Sequence, residues 1–294
     1  MPTLKLLQPS EILSSVDGAD PALNQFKYRF LAQGDSWFSI GTINPFKNST
    51  LLEKLHFPKA CCAVNCARPG ATLKRMVDNI REPNFANLLS GAKREPWHGI
   101  LLSAGGNDMI DALGHKDIID PALRLFLTPA EITGDPAICD SYLSAAGWTT
   151  FENHIHAVFQ LLVDCRDSTP TNEDIPIFLH TYHFPTIRDA GDALSFGPWL
   201  YKAVKSFNIP EPIWPTLGRQ LFNQFGDLLR DIALLHDNLH VFDSANLVTL
   251  TPAQPRTSGQ SGDWINEIHL TKAGYDKVSL EWSKDIQFIL PWIT

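Results

Sequence analysis

Short apolar runs and amphipathic stripes alternate along most of this chain, and that alternation limits the folds open to it more than any other feature. Apolar runs occur at 27–33, 59–65, 98–103, 175–181 and 240–243. The run 98–103 (His98-Gly-Ile-Leu-Leu-Ser103) lies between Pro96 and Gly105-Gly106, as expected of a strand buried on both faces. Helix signals stand between the runs. Thr50 and Glu53 have capping-box spacing, and a further helix is expected near Ala71 to Ile80. Phe151, Ile155, Val158 and Leu162 form one stripe, Leu217, Leu221, Leu228, Ile232 and Leu235 a second, and 271–289 closes the chain as a helix. Parallel strands need crossover connections, which helices supply, so the pattern predicts an α/β fold: a parallel sheet covered by helices on both faces. The domain is read as 27–294, preceded by an N-terminal extension at 1–26. The stretch 109–147 has many Pro, Gly and Asp residues and no clean period, so loops and short helices that shape a substrate entrance are expected there.

With 294 residues and 44% hydrophobic content the chain can bury one sizeable core. The net charge of −8 is spread along the chain, which argues against a nucleic-acid-binding surface. The first twenty residues carry Glu11 and Asp17 and lack the apolar run of a signal peptide; no membrane-length apolar stretch follows, and a cytoplasmic location is expected. Cys61, Cys62, Cys66, Cys139 and Cys165 are an odd number, which fits reduced thiols. The first three cluster, but no second cluster completes a metal site, so they read as small buried side chains on a strand. His154 and His156, two apart on a helix, point to different faces and are not expected to share a metal. No Gly-x-Gly-x-x-Gly or Gly-x-x-x-x-Gly-Lys pattern follows a strand, which weighs against a nucleotide binder.

Parallel α/β sheets place ligands beyond the carboxyl ends of their strands, and four polar blocks fall there. Gly34-Asp35-Ser36 follows the first run, and Asn65-Cys-Ala-Arg-Pro-Gly70-Ala-Thr72 the second. Gly105-Gly106-Asn107-Asp108 follows the third, and Asp263-Trp264-Ile265-Asn266-Glu267-Ile268-His269 precedes the last helix. Each block alone also reads as a turn or a helix cap. In this order they resemble the SGNH (GDSL) hydrolases, and the Gly-x-Asn-Asp match at 105–108 is the most specific element. The resemblance implies a flavodoxin-like three-layer sandwich with five parallel strands. It assigns Ser36 as nucleophile, His269 as general base, and the N–H groups of Ser36 and Gly70 with the Asn107 side chain as oxyanion hole. An unassisted serine hydroxyl is a poor nucleophile at neutral pH, so such a site needs both the imidazole and the oxyanion donors.

The chain departs from the family pattern at the acid. Family members usually carry Asp three residues before the His, and often Pro just after it; here Asn266 and Leu270 stand in those places. Asp263 is the preferred partner for the imidazole, reached by a loop folding back; Glu267, or a Ser–His dyad oriented by a backbone carbonyl, is the alternative. The segment His180-Thr-Tyr-His183-Phe-Pro185, with Gly197-Pro198-Trp199, is similar to a segment of certain bacterial SGNH-like proteins, and its apolar residues are candidates to line an acyl or alcohol pocket. The expected function is metal- and cofactor-independent cleavage of a carboxylic ester, such as an acetyl group on a carbohydrate or another small acyl ester. The rival is a ligand-binding module of the same fold whose altered acid block has lost turnover.

Overall fold

In the computed structural model, residues 2–14, 21–39, 49–192 and 196–293 are described. Six strands form one sheet, in the order β1-β3-β2-β4-β5-β6: β1 Lys5–Leu7, β2 Tyr28–Gly34, β3 Cys61–Asn65, β4 Gly99–Ser103, β5 Ile177–His180 and β6 Leu239–Phe242. Every pairing is parallel. The five strands expected from the sequence form within a residue or two of their predicted limits. The sixth corrects the count: Lys5, Leu6 and Leu7, in the stretch read as an extension, pair with Cys62, Ala63 and Val64. Three residues with one buried side chain are too short to show a strand period, which is why the sequence hides β1. Residues 15–20 of that stretch lie outside the described residues.

The inner strands β3 and β4 are buried throughout, which explains their unbroken apolar runs. Cys61 and Cys62 are buried on β3 and Cys66 just beyond it, with burial pushing each thiol up to about 12, so all three stay protonated. Three long helices carry the predicted stripes. Ala145–Asp167 starts where Ser144 Oγ accepts from Gly147 N at 3.0 Å, and Lys272–Ile289 where Thr271 Oγ1 accepts from Gly274 N at 3.1 Å. Trp214–Leu235 begins with Pro215 in its first turn and buries Leu217, Leu221, Leu228 and Ile232, while Leu235, the last residue of the predicted stripe, is exposed at the helix end. Among the described residues no helix is long and apolar enough to cross a membrane.

Two shorter helix signals shrink in the fold. Thr50 and Glu53 do make the reciprocal capping bonds, 3.0 and 3.1 Å, but cap only the 3-10 turn Leu52–Lys54. The helix expected at 71–80 is reduced to Leu73–Met76, and a separate helix starts at Pro83. Between them Glu82 is buried and accepts from both Arg68 (2.6 Å) and Arg75 (2.9 Å), a tertiary tie that no local pattern announces. The stretch 109–147 wraps buried Arg124, whose guanidinium donates to both oxygens of Glu131 and to the Ile118 carbonyl.

Beyond β4 the chain enters the helix Gly106–Ala112 through Gly105 at φ +91°, where a Cβ would meet Phe225 at 2.5 Å. Both the left-handed backbone and the contact demand glycine. Gly105→Ala is expected to lower unfolding free energy by about 2–4 kcal/mol through strain and overpacking, measured by urea denaturation; a loss below about 0.5 kcal/mol would show that this turn is not tightly held.

Candidate active site

The sheet order makes β2 and β4 the place where the winding reverses direction, and ligands of open α/β sheets bind beyond the strand ends at such a point. Ser36 follows β2 and opens the short helix Ser36–Ser39. Asp35 shapes the turn between them: Oδ1 accepts from Trp37 N and Ser103 Oγ, both at 2.9 Å, and Oδ2 accepts from the Tyr182 hydroxyl. Burial pushes the Asp35 carboxyl up to about 6, with these donors opposing the rise. The buried Trp37 indole donates to the Ile268 carbonyl at 3.2 Å, which ties the serine turn to the loop that carries His269.

Across 233 positions in sequence, His269 Nε2 lies 2.7 Å from Ser36 Oγ. Burial lowers the imidazole to about 4, partly opposed by the charge of Asp192, so at neutral pH the ring is uncharged. The other ring nitrogen faces Asn266: Nδ1 is 3.1 Å from Oδ1 and 2.9 Å from Nδ2. Asn266 Oδ1 also accepts from the backbone N–H groups of Ile268 (3.1 Å) and His269 (2.8 Å), which fixes the amide's oxygen on that side. When Nδ1 carries the proton, it donates to Oδ1 and leaves Nε2 free to accept from the serine. A hydroxyl so placed can surrender its proton as its oxygen attacks an electrophile.

Asp263 is elsewhere. Its carboxylate accepts from Thr251 N and Lys277 Nζ, each at 2.6 Å; burial pushes it up, but these partners hold it below the usual range. No hydrogen bond joins it to His269 among the described residues, so the sequence's preferred partner for the imidazole is a clamp between loop and closing helix. Glu267, the alternative, is also turned away. It accepts from the backbone N–H groups of Arg188, Trp199, Leu200 and Tyr201 at 2.5–3.2 Å, and burial pushes it up to about 7 against them. Buried Arg188 completes the loop's frame, donating to the Asn266 carbonyl at 2.7 Å and to those of Thr257 and Gly259. Asn266 had one legible signal: it stands where the family pattern places its acid. Arg188 had none.

Asn107 shares a cavity with Ser36, and its Nδ2 donates to the Ala71 carbonyl at 3.0 Å, which leaves its second N–H uncommitted by that bond. Gly70 sits at φ +71° in the exposed turn just before Ala71, where glycine is needed for the backbone alone; it does not line the cavity. Asp108 braces this corner, accepting from Leu73 N at 2.8 Å. The cavity is small, about 30 Å³, walled by Trp37, Ile110, Pro185, Phe222 and Ile268, with His183 and Trp264 beside them. The segment after β5 thus supplies part of the wall, as its sequence suggested, while Trp199 packs edge-on against His269 at 5.4 Å between ring centres.

No family model and no curated protein matches this chain, but solved structures do. A lipase from a goat rumen metagenome aligns over 88% of this chain and 97% of its own, at 12% identity and a TM-score of 0.50. The two share a fold, the parallel α/β sandwich that the SGNH resemblance implied. A carbohydrate acetylesterase from Sinorhizobium meliloti (11% identity, 90% and 100% covered, TM-score 0.42) is also similar. So is a variant of an acetyl-xylooligosaccharide esterase from Geobacillus (13%, 88% and 94%, 0.40). At these identities the likeness is one of fold.

The burial of His269 has a measurable consequence. A group lowered from 6.5 to about 4 stays neutral as pH falls through 6 and protonates only near 4. The His269 ring resonances are expected to titrate with a midpoint near pH 4; a midpoint at 6 or above would mean that water solvates the ring.

Proposed function

We propose that this chain is a serine hydrolase of short-chain carboxylic esters, acting through an acyl-serine intermediate. The observation that carries the reading is the 2.7 Å contact of Ser36 Oγ with a buried, neutral His269 whose far nitrogen rests on Asn266. Ser36 Oγ attacks the ester carbonyl carbon while His269 Nε2 takes its proton. The tetrahedral adduct expels the alcohol, which receives that proton from Nε2–H, and a water activated by the same nitrogen releases the acid. Developing charge on the carbonyl oxygen is met by the Ser36 N–H and the second N–H of Asn107. The cavity beside Ser36 is small and walled mainly by apolar side chains, which favours small acyl groups such as acetyl.

Asn266 in place of a carboxylate gives this site a particular balance. It orients the ring but carries no charge to stabilise the imidazolium formed during attack. It can also donate from Nδ2 to Nδ1, which favours the tautomer whose Nε2–H cannot accept from serine. In serine proteases, exchange of the triad Asp for Asn costs on the order of 10⁴ in kcat for this reason. The same residue favours a second reading, a binding module of this fold with little turnover.

Hydrolysis of chromogenic acetyl esters, with fluorophosphonate labelling in parallel, separates the two. Wild type is expected to label and turn over and Ser36→Ala to do neither; wild type inert in both assays across pH 5–9 would establish the binding module. Asn266→Asp is expected to raise kcat by about tenfold or more and move the acid limb of the pH profile upward, because a carboxylate beside Nδ1 favours the protonated ring. An unchanged kcat would show that Asn266 does not orient the imidazole. Asn107→Ala is expected to lower kcat about 10²–10³-fold with the labelled fold intact; a loss under threefold would remove Asn107 from the oxyanion hole.

A further inference from the structure

Beyond the β2–β4 ladder, where Asp35 N donates to the Ser103 carbonyl at 3.1 Å, the two chains part, one into the helix Ser36–Ser39 and the other into the helix Gly106–Ala112. Tyr182, from the segment after β5, reaches into that fork. Its hydroxyl donates to Asp35 Oδ2 and lies 3.2 Å from Ser103 Oγ, and the Gly106 N–H is a further donor to its oxygen. Burial holds the phenol well above its usual range, so it keeps the proton it donates. Its ring stands edge-on to Trp37 at 5.1 Å between centres and stacks on Phe225 at 6.2 Å.

Gly106 records the same fit. It is the first residue of its helix and its φ lies outside the left-handed region, so the backbone does not call for glycine there. A Cβ would instead stand 2.8 Å from Tyr182 Cζ and 3.0 Å from Cε1, closer than carbon atoms pack. The phenol thus rests on bare backbone next to Asn107.

Resting on the hydrolase reading above, we infer that Tyr182 is a positioning residue for the oxyanion hole, holding the Ser36 N–H and the Asn107 amide at the separation that one oxygen needs. The serine turn is tied to the hydroxyl through Asp35, whose Oδ1 accepts from Trp37 N, and the asparagine is tied to it through the glycine before it. Donors placed in advance stabilise developing charge without reorganising, and small displacements weaken them. Such placement matters more in the transition state than in substrate binding, so its loss falls on kcat.

The test is made at pH 8, where the Asp35 carboxyl, pushed up to about 6, is ionised and accepts the bond. Tyr182→Phe keeps the ring and removes the hydroxyl. With a chromogenic acetyl ester it is expected to lower kcat about tenfold or more, with KM within twofold and fluorophosphonate labelling of Ser36 retained. The deciding comparison is the Asn107→Ala background: with one of the two donors gone their separation no longer matters, and the same change is expected to cost less than threefold. A loss below threefold in the otherwise wild-type chain overturns the inference. So does a tenfold loss repeated in full without Asn107, which a merely loosened fold would also give. Should Tyr182→Phe not fold, Gly106→Ala, which displaces the same ring from the Asn107 side, carries the same two comparisons with the same limits. Wild type that neither labels nor turns over the ester is the separate failure of the hydrolase reading.

Discussion

β2 is hydrogen-bonded on both sides, to β3 with Phe30 opposite Ala63 and to β4 with Gly34 opposite Ser103. Every distance at the site is set from this ladder. It brings Ser103 Oγ under Asp35, places the serine turn beside the helix that carries Asn107, and points both toward the crevice where the winding reverses. Side chains alternate between sheet faces, so a slip of one residue would exchange the faces of β2 and move Asp35 away from its donors.

The other half of the site hangs from a loop, and buried charge holds that loop. Arg188 and Glu267, both buried, bind carbonyls and N–H groups of 188–201 and 257–266. Asp263 and Lys277 join the same loop to the closing helix. Removing a charge from water is costly, and here multiple backbone partners offset the cost while fixing position. A loop otherwise without helix or strand thereby presents Asn266 and His269 with the rigidity usually found in regular elements.

Acid–base logic follows from the same burial. His269 is kept neutral by desolvation, with Asn266 at its far nitrogen, so the imidazole's basicity is governed by the pocket more than by a paired anion. Asp35 stands just beneath the serine turn and spends its lone pairs on Trp37, Ser103 and Tyr182. It acts there as a turn brace. The cluster of Trp37, His180, Tyr182 and Tyr275 rings packs around it with centres 5.1–5.5 Å apart, which keeps the floor of the site dry.

Much of this was legible in one dimension because its causes are local. Strand–helix alternation, the capping pair Thr50 and Glu53 and the glycine at position 105 follow from periodicity and backbone preference within a few residues. By itself, the sequence therefore determined the sheet's parallel class, and it offered Ser36, Asn107 and His269 as candidates through the resemblance of four short blocks to a family pattern. Which side chain meets His269 was decided only in three dimensions. Asp263, Asn266 and Glu267 lie within seven residues of it, and local pattern cannot rank them. The choice depends on Lys277 drawing Asp263 away, on four N–H groups capturing Glu267, and on two backbone donors turning the Asn266 oxygen inward. Those partners come partly from elements up to 79 positions distant, and only packing brings them together.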